Sequence, residues 1–508
     1  MRRLGKYALR LLAGLGALFL ILIALAALCR LPLARWALAS ALADAGVTPR
    51  DVRVTALGPR GATIAPLDVS WRGQRVSIES VTVRRSRIFA RSLGRIELKG
   101  VAVTLDLGAL TTPTAASPHT PAGAPETGVT FDRLSVDGRI ALRTPAAGRE
   151  LALALAATPA AGGHGIRFTT ALSGPGAEAQ ASGAYDLASS VAEFDLSQAS
   201  FELADSWVFL RDLAPALTTG WEAAGKLTVT AHGRAAGGAI AGEMAVRLRD
   251  ASAANPGENI SVDGIQADVV FSDPMAAATG PGQTVRAGSA RLGNLALRDV
   301  AVRFQLKGVH ECRIESAELG ALGGRLSVEP LTCDPTAGTV ACVVVADGLR
   351  VEDVLALFPD APAKATGVID GRLPVVLDRT GLHFGAGWMG LKVGQTATVW
   401  FNSPGLLTGR LAPANPAYAT LQGIEVGRMP LSVEELRVEL HPAGAPAQRS
   451  AQIHLAGRPA DAGSRLGQVT LDLNVNGPLE ELLNWGLRTR FGPPAAGSPP
   501  AGTKIEAH

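Results

Sequence analysis

Apolar and polar residues alternate along most of the chain beyond its first 45 residues. The longest early run carries Val101, Val103, Leu105 and Leu107, separated by small or polar residues. The same two-residue period recurs at Val76/Ile78, Val81/Val83, Ile96/Leu98, Leu227/Val229, Ile265/Ala267/Val269, Val302/Phe304/Leu306 and Val469/Leu471/Leu473/Val475. Successive side chains on a strand point to opposite sides, so this alternation predicts strands with one apolar and one hydrated side.

Turn signals and short helical patterns separate these runs. Asp-Gly pairs at 137–138, 263–264, 347–348 and 370–371 are typical of hairpin turns and predict antiparallel neighbours. Apolar spacing of three and four residues predicts short helices at Asp205–Leu217 and Val351–Phe358. Further short helices are predicted at Leu33–Ala45 and at Pro478–Leu487, which begins with proline and acidic residues.

The pattern defines the fold class. No alternation of strands with long helices occurs, which argues against a doubly wound parallel sheet. At one strand and turn per 13 to 18 residues, the chain holds about 25 to 35 strands. We predict a mainly β protein: an elongated, twisted, mostly antiparallel β-sheet groove with one N-terminal transmembrane helix and a few short helices. The apolar side of such a sheet must be covered, folded on itself, or filled by something apolar.

The N-terminal segment from Leu11 to Cys29 contains no charged residue. As a helix it would rise roughly 28 Å, which is close to the hydrocarbon thickness of a bilayer. Basic residues precede it, so the positive-inside rule places the N-terminus in the cytoplasm and exports everything after Arg30. A cleaved signal peptide is disfavoured because the nearest small-x-small triplets lie beyond Arg30 and Pro32, and a lipoprotein is disfavoured because Leu28 precedes Cys29.

Composition and motifs argue against nucleic-acid binding, catalysis and cofactor binding. The 48 basic and 45 acidic residues leave a net charge of only +3, so no broad basic surface indicates nucleic acid. The sequence has no GxSxG, HExxH or GxxxxGK[ST] motif, and its eight histidines are scattered. Gly385–Gly390 matches GxGxxG, but strand and turn residues follow where a dinucleotide site needs a helix. We predict no enzyme activity, no metal and no cofactor.

Three cysteines lie together in the predicted exported part: Cys312, Cys333 and Cys342. A turn at Leu319–Gly324 would place Cys312 opposite Cys333, and a turn at Asp334–Gly338 offers Cys333 and Cys342 a slightly offset pairing. In an oxidising compartment one pair would form a disulfide and leave one thiol over. The alternative, three unpaired small apolar residues, stays open.

The segment from Gly320 to Val376 resembles AsmA-like envelope proteins, in particular their YdbH-type branch. The resemblance is carried by the GG-containing strand Gly323–Pro330, the short helix Val351–Phe358 and the segment Ala365–Pro374, in which Gly367, Gly371 and Pro374 recur. A Gly-rich turn at Gly381–Gly394 and the stretch Asn474–Leu483 fit the same branch. These motifs are structural, and the resemblance implies a long β-groove that shelters phospholipid acyl chains between the inner and outer membranes.

The resemblance and the anchor together predict the domain organisation and location. The expected parts are a cytoplasmic basic segment (1–10), a transmembrane anchor (11–32), the N-terminal part of the groove (33–110), a flexible linker or loop (111–128), a central groove (129–310), a C-terminal YdbH-like β domain (311–490) and a disordered tail (491–508). The protein is then a single-pass protein of the bacterial inner membrane with its bulk in the periplasm.

The predicted function is to shelter or conduct phospholipid, with an outer-membrane or periplasmic docking protein as a further partner. Candidate groove residues are Val101, Val103, Leu105, Leu107, Val302, Phe304, Leu306, Val469, Leu471 and Leu473. The alternative is a scaffold or chaperone for outer-membrane protein assembly that pairs its open strand edge with client strands.

Overall fold

In the computed structural model, the described residues form one large, mostly antiparallel sheet of 28 strands with a few short helices. The described residues are 48–58, 61–71, 74–84, 92–106, 130–144, 147–160, 165–186, 189–213, 218–236, 239–358, 363–378, 381–409, 411–441, 449–461, 467–476 and 504–507. The chain divides into two compact units: unit 1 comprises Met1–Arg249 and Asp268–Thr279, and unit 2 comprises Asp250–Ala267 and Gly280–His508.

Unit 1 holds the first ten strands, the helix α1 and one short later strand. In chain order these are β1 (Thr48–Gly58), β2 (Gly61–Trp71), β3 (Gln74–Arg84), β4 (Ser92–Asp106), β5 (Thr130–Arg143), β6 (Gly148–Pro159), β7 (Gly165–Gly174), β8 (Ala177–Asp186), β9 (Val191–Glu202), α1 (Leu203–Leu213), β10 (Glu222–Ala236) and β13 (Ala278–Thr279). The strands β11 (Ala239–Asn255) and β12 (Ile260–Asp273) contribute residues to both units.

Strand pairing in unit 1 follows chain order. β1 to β4 pair as consecutive antiparallel neighbours, and so do β5 to β10. Between these two runs, β4 and β5 pair in parallel. Consecutive antiparallel pairing is the arrangement that the alternating sequence predicted, and the parallel pair was not predicted.

A bulge explains why the apolar alternation in β4 changes phase between Leu98 and Val101. The register with β5 shifts by one residue between Lys99 and Val101, and Gly100 has a φ of 63°. A bulge of this type adds one residue to a strand and reverses the side to which later side chains point. The apolar residues before and after Gly100 therefore face the same side of the sheet.

Unit 2 holds the remaining strands and two short helices. In chain order these are β14 (Gln283–Leu292), β15 (Leu295–Gly308), β16 (Glu311–Ala321), β17 (Gly324–Val328), β18 (Leu331–Cys333), β19 (Val340–Arg350), α2 (Val351–Leu355), β20 (Ala363–Thr366), β21 (Val368–Asp378), β22 (Gly381–Phe384), β23 (Gly387–Leu391), β24 (Ala397–Phe401), α3 (Tyr418–Glu425), β25 (Leu431–Leu440), β26 (Arg449–Pro459), β27 (Val469–Asn476) and β28 (Lys504–Ala507).

Several pairings in unit 2 join strands that are not consecutive in the chain. β16 pairs with both β17 and β18, β17 pairs with β19, and β19 pairs with β21. Further along, β20 pairs with β24, while β21 and β25 both pair with β23. The last strands, β25 to β28, again pair in chain order.

Each unit has its own buried apolar core on one side of the sheet. In unit 1 the core lies over β3 to β7 and includes Leu98 and Val101, both with no exposed surface. In unit 2 the larger core lies over β19 to β27 and includes Ile424, Leu431 and Val433, also with no exposed surface. A smaller cluster of Leu440, Ala451 and Val475 lies beside it.

The alternating runs lie in strands as predicted, but the four Asp-Gly pairs do not lie in hairpin turns. They fall inside β5, β12, β19 and β21. Gly264 has a φ of 66°, and Gly348 has a φ of 71° beside a register shift in β19. A left-handed residue inside a strand marks a bulge, and the same conformational freedom that favours Asp-Gly in turns serves here to bend strands.

The predicted helices are confirmed in part. α1 overlaps the segment predicted at Asp205–Leu217 and begins two residues earlier, and α2 begins at the predicted Val351 but ends three residues before Phe358. The predicted tail contributes Lys504–Ala507 to the sheet as β28, paired with β27, so these four residues are not irregular. The helices predicted at Leu33–Ala45 and Pro478–Leu487 and the linker at 111–128 lie outside the described residues.

Within the residues that the structure describes, no helix has the length and apolar character needed to cross a bilayer. The predicted anchor at Leu11–Cys29 lies outside them. The anchor therefore stays a prediction from the sequence.

Candidate functional site

The apolar side of unit 1 continues beyond its buried core as rows of register partners. One row crosses five strands, β6 to β10, through Ala157, Phe168, Gly183, Phe194 and Gly233. A second row crosses the same strands through Leu155, Thr170, Ala181, Leu196 and Ala231. Nine of these ten residues have apolar or no side chains, so this side of the sheet presents a continuous apolar surface.

The other side of the same strands is polar. β8 shows the contrast most simply, because Glu178, Gln180 and Ser182 are exposed while the alanines between them are buried or half-buried. A bulge in β9 keeps this arrangement: the register with β8 shifts next to Leu196, and Ala199 then faces the same side as Leu196. The strands β8 and β9 thus carry apolar side chains on one side and polar side chains on the other.

Large apolar side chains on the apolar face of unit 1 are less buried on β9 and β10 than on β3 to β7. The core over β3 to β7 is closed, whereas Phe194, Leu196, Leu227 and Val229 on β9 and β10 are half-buried. None of these four residues belongs to a buried cluster in the described part of the chain. Half-buried apolar side chains in a continuous row form a surface on which an apolar ligand can lie.

Unit 2 carries a second apolar face with the same construction. One row crosses six strands through Val285, Val302, Ala317, Val328, Val344 and Leu373. A neighbouring row places Phe304 opposite Ile314, and Ile314 opposite Leu331. Val302, Phe304 and Leu306 are all half-buried and lie outside the buried clusters of the described residues. We call the half-buried face on β14 to β18 the open face of unit 2.

The apolar face on the later strands of unit 2 is covered by the chain itself. The segment between β24 and β25, which contains α3, packs Leu406, Leu407, Leu421, Ile424 and Met429 against the core strands. We call residues 402–430 the covering segment. Its presence makes the later strands a closed core, while the open face of unit 2 has no such cover among the described residues.

A buried carboxylate holds the covering segment together. Glu425 is only 2% exposed, and its Oε2 accepts hydrogen bonds from the backbone N–H groups of Leu407 at 3.0 Å and Thr408 at 3.1 Å. The Thr408 hydroxyl donates to Oε1 at 2.7 Å. Burial raises the pKa of Glu425, but these hydrogen bonds outweigh it and hold the pKa below its ordinary value. The carboxylate therefore joins α3 to the preceding loop in its charged form.

Charged pairs lie on the polar side of unit 2. Arg372 on β21 donates to both carboxylate oxygens of Glu329, from Nε at 2.9 Å and from Nη2 at 3.0 Å. Lys392 pairs with Asp347, and its hydrogen bond lowers the pKa of that carboxyl. Exposed pairs of this kind contribute little stability, but they keep the polar side hydrated.

The structure distributes the predicted groove residues between closed and open surfaces. Val101 is fully buried in the core of unit 1, and Val103 and Leu105 pack against that core. Val469 and Leu473 are buried in unit 2 with Leu471 packed beside them, whereas Val302, Phe304 and Leu306 lie on the open face. Leu107 lies outside the described residues.

The glycines and proline of the family-like motif have structural positions. Gly323 and Gly324 form the tight connection from β16 to β17, with Gly324 opposite Ala321. Gly371 lies so close to β23 that a Cβ would be 2.7 Å from Met389 Cγ, and the carbonyl of Pro374 accepts from Gly385. Gly367 accepts a hydrogen bond from Val351 at the start of α2. None of these contacts involves a reactive side chain.

The cysteines are arranged as one of the predicted alternatives. Cys312 on β16 lies directly opposite Cys333 on β18, whereas Cys342 on β19 lies opposite Val375. All three are free thiols in this structure. The predicted register between Cys312 and Cys333 is thus confirmed, and the structure does not place Cys342 opposite either cysteine.

Sequence reasoning missed part of the open surface. Phe194 and Leu196 on β9 were not among the predicted groove residues, although they alternate with Glu193 and Asp195 in the same two-residue period. The neighbouring strand β8 carries its alternation through alanine and glycine, which gives a weaker signal. In the described part of the chain, no group of three or more His, Cys, Asp or Glu residues is placed to hold a metal ion.

The described strands thus form a sheet with long apolar rows on one side and polar residues on the other, and an uncovered apolar surface of this kind marks an interaction site. A family model described as "YdbH-like: Intermembrane phospholipid transport protein YdbH" matches residues 17–203 and 165–390. The two matches together cover well over half of the 508-residue chain, and the chain belongs to the YdbH-like family. Neither the comparison with curated proteins nor the comparison with solved structures gives a match.

Proposed function

We propose that the chain shelters phospholipid acyl chains on the half-buried apolar faces of its sheet and passes them between the inner and outer membranes. The observation that carries this proposal is the open face of unit 2, where apolar rows remain half-buried. The proposal gives the chain no catalytic role and no cofactor. Family membership supports phospholipid as the ligand.

The energetics suit an unspecific apolar ligand. Each buried CH₂ group contributes about 0.8 kcal/mol, so an acyl chain lying along one row gains several kcal/mol without a directional contact. The part of the row that lies on the open face, from Val285 to Val328, crosses four strands, and neighbouring strands lie about 4.8 Å apart. This part spans roughly 14 Å, so an acyl chain lying along it can bury part of its length there.

The proposed location follows from the sequence. The uncharged segment Leu11–Cys29 would anchor the chain in the inner membrane, with the sheet in the periplasm. Protease added to spheroplasts should then digest the chain beyond Arg30 and leave the N-terminus protected. Full protection of the sheet until the membrane is opened would overturn this topology.

Site-specific photocrosslinking in cells with labelled phospholipid tests the ligand. A benzophenone-bearing amino acid is placed in the full chain at Phe304 or Leu196 on the apolar faces. Matched controls carry it at Arg303 or Gln198, which are exposed on the same strands. We expect labelled phospholipid adducts at the first two positions at least several-fold above the controls.

Two results would contradict the proposal. Equal labelling at face and control positions would show that lipid contact is incidental. Protein adducts instead of lipid at Phe304 and Leu196 would favour the scaffold that pairs with client proteins. Phe304→Asp should abolish lipid capture by a probe at Val302, because a carboxylate on this face has no described partner charge, while Arg303→Asp should leave capture unchanged.

A further inference from the structure

Cys312 and Cys333 are paired across two antiparallel strands on the open face of unit 2. They are register partners, and the row through them continues to Leu306 on β15. Opposite residues on antiparallel strands have Cα atoms about 4.5 to 5.5 Å apart and side chains on the same side. Disulfides need Cα atoms about 4.4 to 6.8 Å apart, so this register meets the requirement without backbone movement.

We propose that Cys312 and Cys333 form a disulfide when the chain reaches an oxidising compartment, which rests on the periplasmic location proposed above. The bond pins β18 to β16 within the lipid-binding face. Cys342 stays a thiol, because its register partner is Val375.

The disulfide would hold a short strand, β18, in place beside β16. β18 is only three residues long, is preceded by Pro330 and leads into the turn at Asp334–Gly338. Its described register with β16 consists of three pairs, of which Cys312 with Cys333 is the last. Short strands next to proline are weakly held, so a covalent bond at this end keeps the apolar face continuous.

The Cys312–Cys333 disulfide would form by thiol–disulfide exchange with an oxidant. One cysteine thiolate attacks a sulfur of a protein disulfide or of oxidised glutathione and displaces one thiolate from the oxidant. The other cysteine then attacks the mixed disulfide, forms the Cys312–Cys333 bond and displaces the second thiolate. The two cysteines lose two protons and two electrons, and the oxidant is reduced to two thiols.

The surroundings favour catalysed exchange. Burial raises the pKa of the Cys312 thiol, and the adjacent Cys333 raises it further through its charge and a hydrogen bond. Burial also raises the pKa of Cys342, with no contribution from another cysteine. Because the thiolate is the attacking species, a raised pKa slows spontaneous oxidation, and an oxidant protein is the expected partner.

Thiol trapping and peptide mapping of the full chain test the pairing. Cells are quenched in acid, free thiols are alkylated, and the purified chain is cut with trypsin. Cys312 lies in the tryptic peptide Gly308–Arg313, while Cys333 and Cys342 share the peptide Leu326–Arg350. We expect these two peptides to be disulfide-linked, with one alkylated cysteine in the larger peptide.

Single-cysteine variants identify the partner. The linked peptide should persist in Cys342→Ala and disappear in Cys333→Ala and in Cys312→Ala. A link that is lost in Cys342→Ala but kept in Cys333→Ala would overturn the proposed pairing.

A second measurement separates the pairing from the location. The reduced full chain is equilibrated with oxidised glutathione and mapped in the same way. Free thiols at Cys312 and Cys333 in both cells and glutathione would overturn the disulfide. A link that forms with glutathione but never in cells would support the pairing and would overturn the periplasmic location on which the proposed function rests.

Discussion

The ring of Phe168 on β7 covers its register partner Gly183 on β8. A Cβ placed on Gly183 would lie 2.6 Å from Cζ of that ring and 2.4 Å from the carbonyl oxygen of Glu193. The relationship repeats in the same row, where a Cβ on Gly233 would lie 2.7 Å from Cζ of Phe194. The rings of Phe168 and Phe194 therefore lie over Gly183 and Gly233, and together they form this part of the apolar face.

Gly183→Ala should destabilise the protein by about 1 to 3 kcal/mol, because the added methyl group meets both a ring and a backbone oxygen. Gly467→Ala is the matched control, since nothing lies within 4 Å of its added Cβ, and its effect should stay within about 0.5 kcal/mol. Urea unfolding of the full chain, followed by tryptophan fluorescence, measures both. Equal stability of the two variants would show that the Phe168 ring does not occupy this position.

Leu98→Ala should lower the free energy of unfolding by about 2 to 5 kcal/mol, because Leu98 has no exposed surface in the core of unit 1. Val393, which is 96% exposed, provides the control, and Val393→Ala should change stability by no more than about 0.5 kcal/mol. The same unfolding measurement applies. A small effect at Leu98 would mean that this core is loosely packed.

Glu425→Gln should loosen the covering segment near neutral pH. The pKa of Glu425 is lower in the folded protein than its usual value of about 4.3, so its stabilising contribution is fully present above that pH and is lost as pH falls through the folded pKa. The variant lacks this dependence. Tryptic cleavage after Arg428, a local measure of opening, should rise about tenfold at pH 7 if about 1.4 kcal/mol is lost.

The pH dependence of the Glu425 variant provides the contrasting result. The difference in stability between the natural chain and Glu425→Gln should shrink as pH falls below about 4. Because trypsin is inactive there, urea unfolding measures this range. A difference that is constant from pH 7 to pH 3 would mean that folding does not lower the pKa of the Glu425 carboxyl.

Cys333→Ala should cost the oxidised protein about 3 kcal/mol, the usual contribution of a disulfide that closes a loop of this size. Cys342→Ala removes a side chain of the same size that forms no bond, so its cost should be far smaller. Adding dithiothreitol should lower the stability of the natural chain and leave Cys333→Ala unchanged. Equal responses of both chains to the reductant would contradict a disulfide at this position.

The sequence predicted the strands well because alternation is a local signal. The runs at Val76–Val83, Val302–Leu306 and Val469–Val475 lie in β3, β15 and β27. The turn predicted at Leu319–Gly324 places Cys312 opposite Cys333, and the structure has this register, with the turn itself at Leu322 and Gly323. The four Asp-Gly pairs misled for two reasons. Gly264 and Gly348 are left-handed residues inside strands, whereas Gly138 and Gly371 lie where a neighbouring strand leaves no room for a Cβ.

Long-range features could not be predicted from local patterns. α3 has Ala417 at its N-cap with no side-chain hydrogen bond, and Gly423 lies inside it. It forms because Ile424 and Glu425 are buried against the core, which no local signal reveals. The pairing of β20 with β24 likewise depends on packing between distant segments. The open faces were only partly predicted, because half-burial depends on which strands the chain covers.

The order of strand pairing has a consequence for folding. From β5 to β10, each strand pairs with the strand that precedes it in the chain. This part of unit 1 can therefore add one hairpin at a time as the chain is synthesised from its N-terminus. The C-terminal part of unit 2 cannot do so: β20 needs β24, and the covering segment needs β25 to β27. β20 therefore keeps an unpaired edge until β24 has been synthesised, and the apolar side of these strands stays uncovered until β25 to β27 follow, so this part of the chain is the most exposed to aggregation before folding is complete.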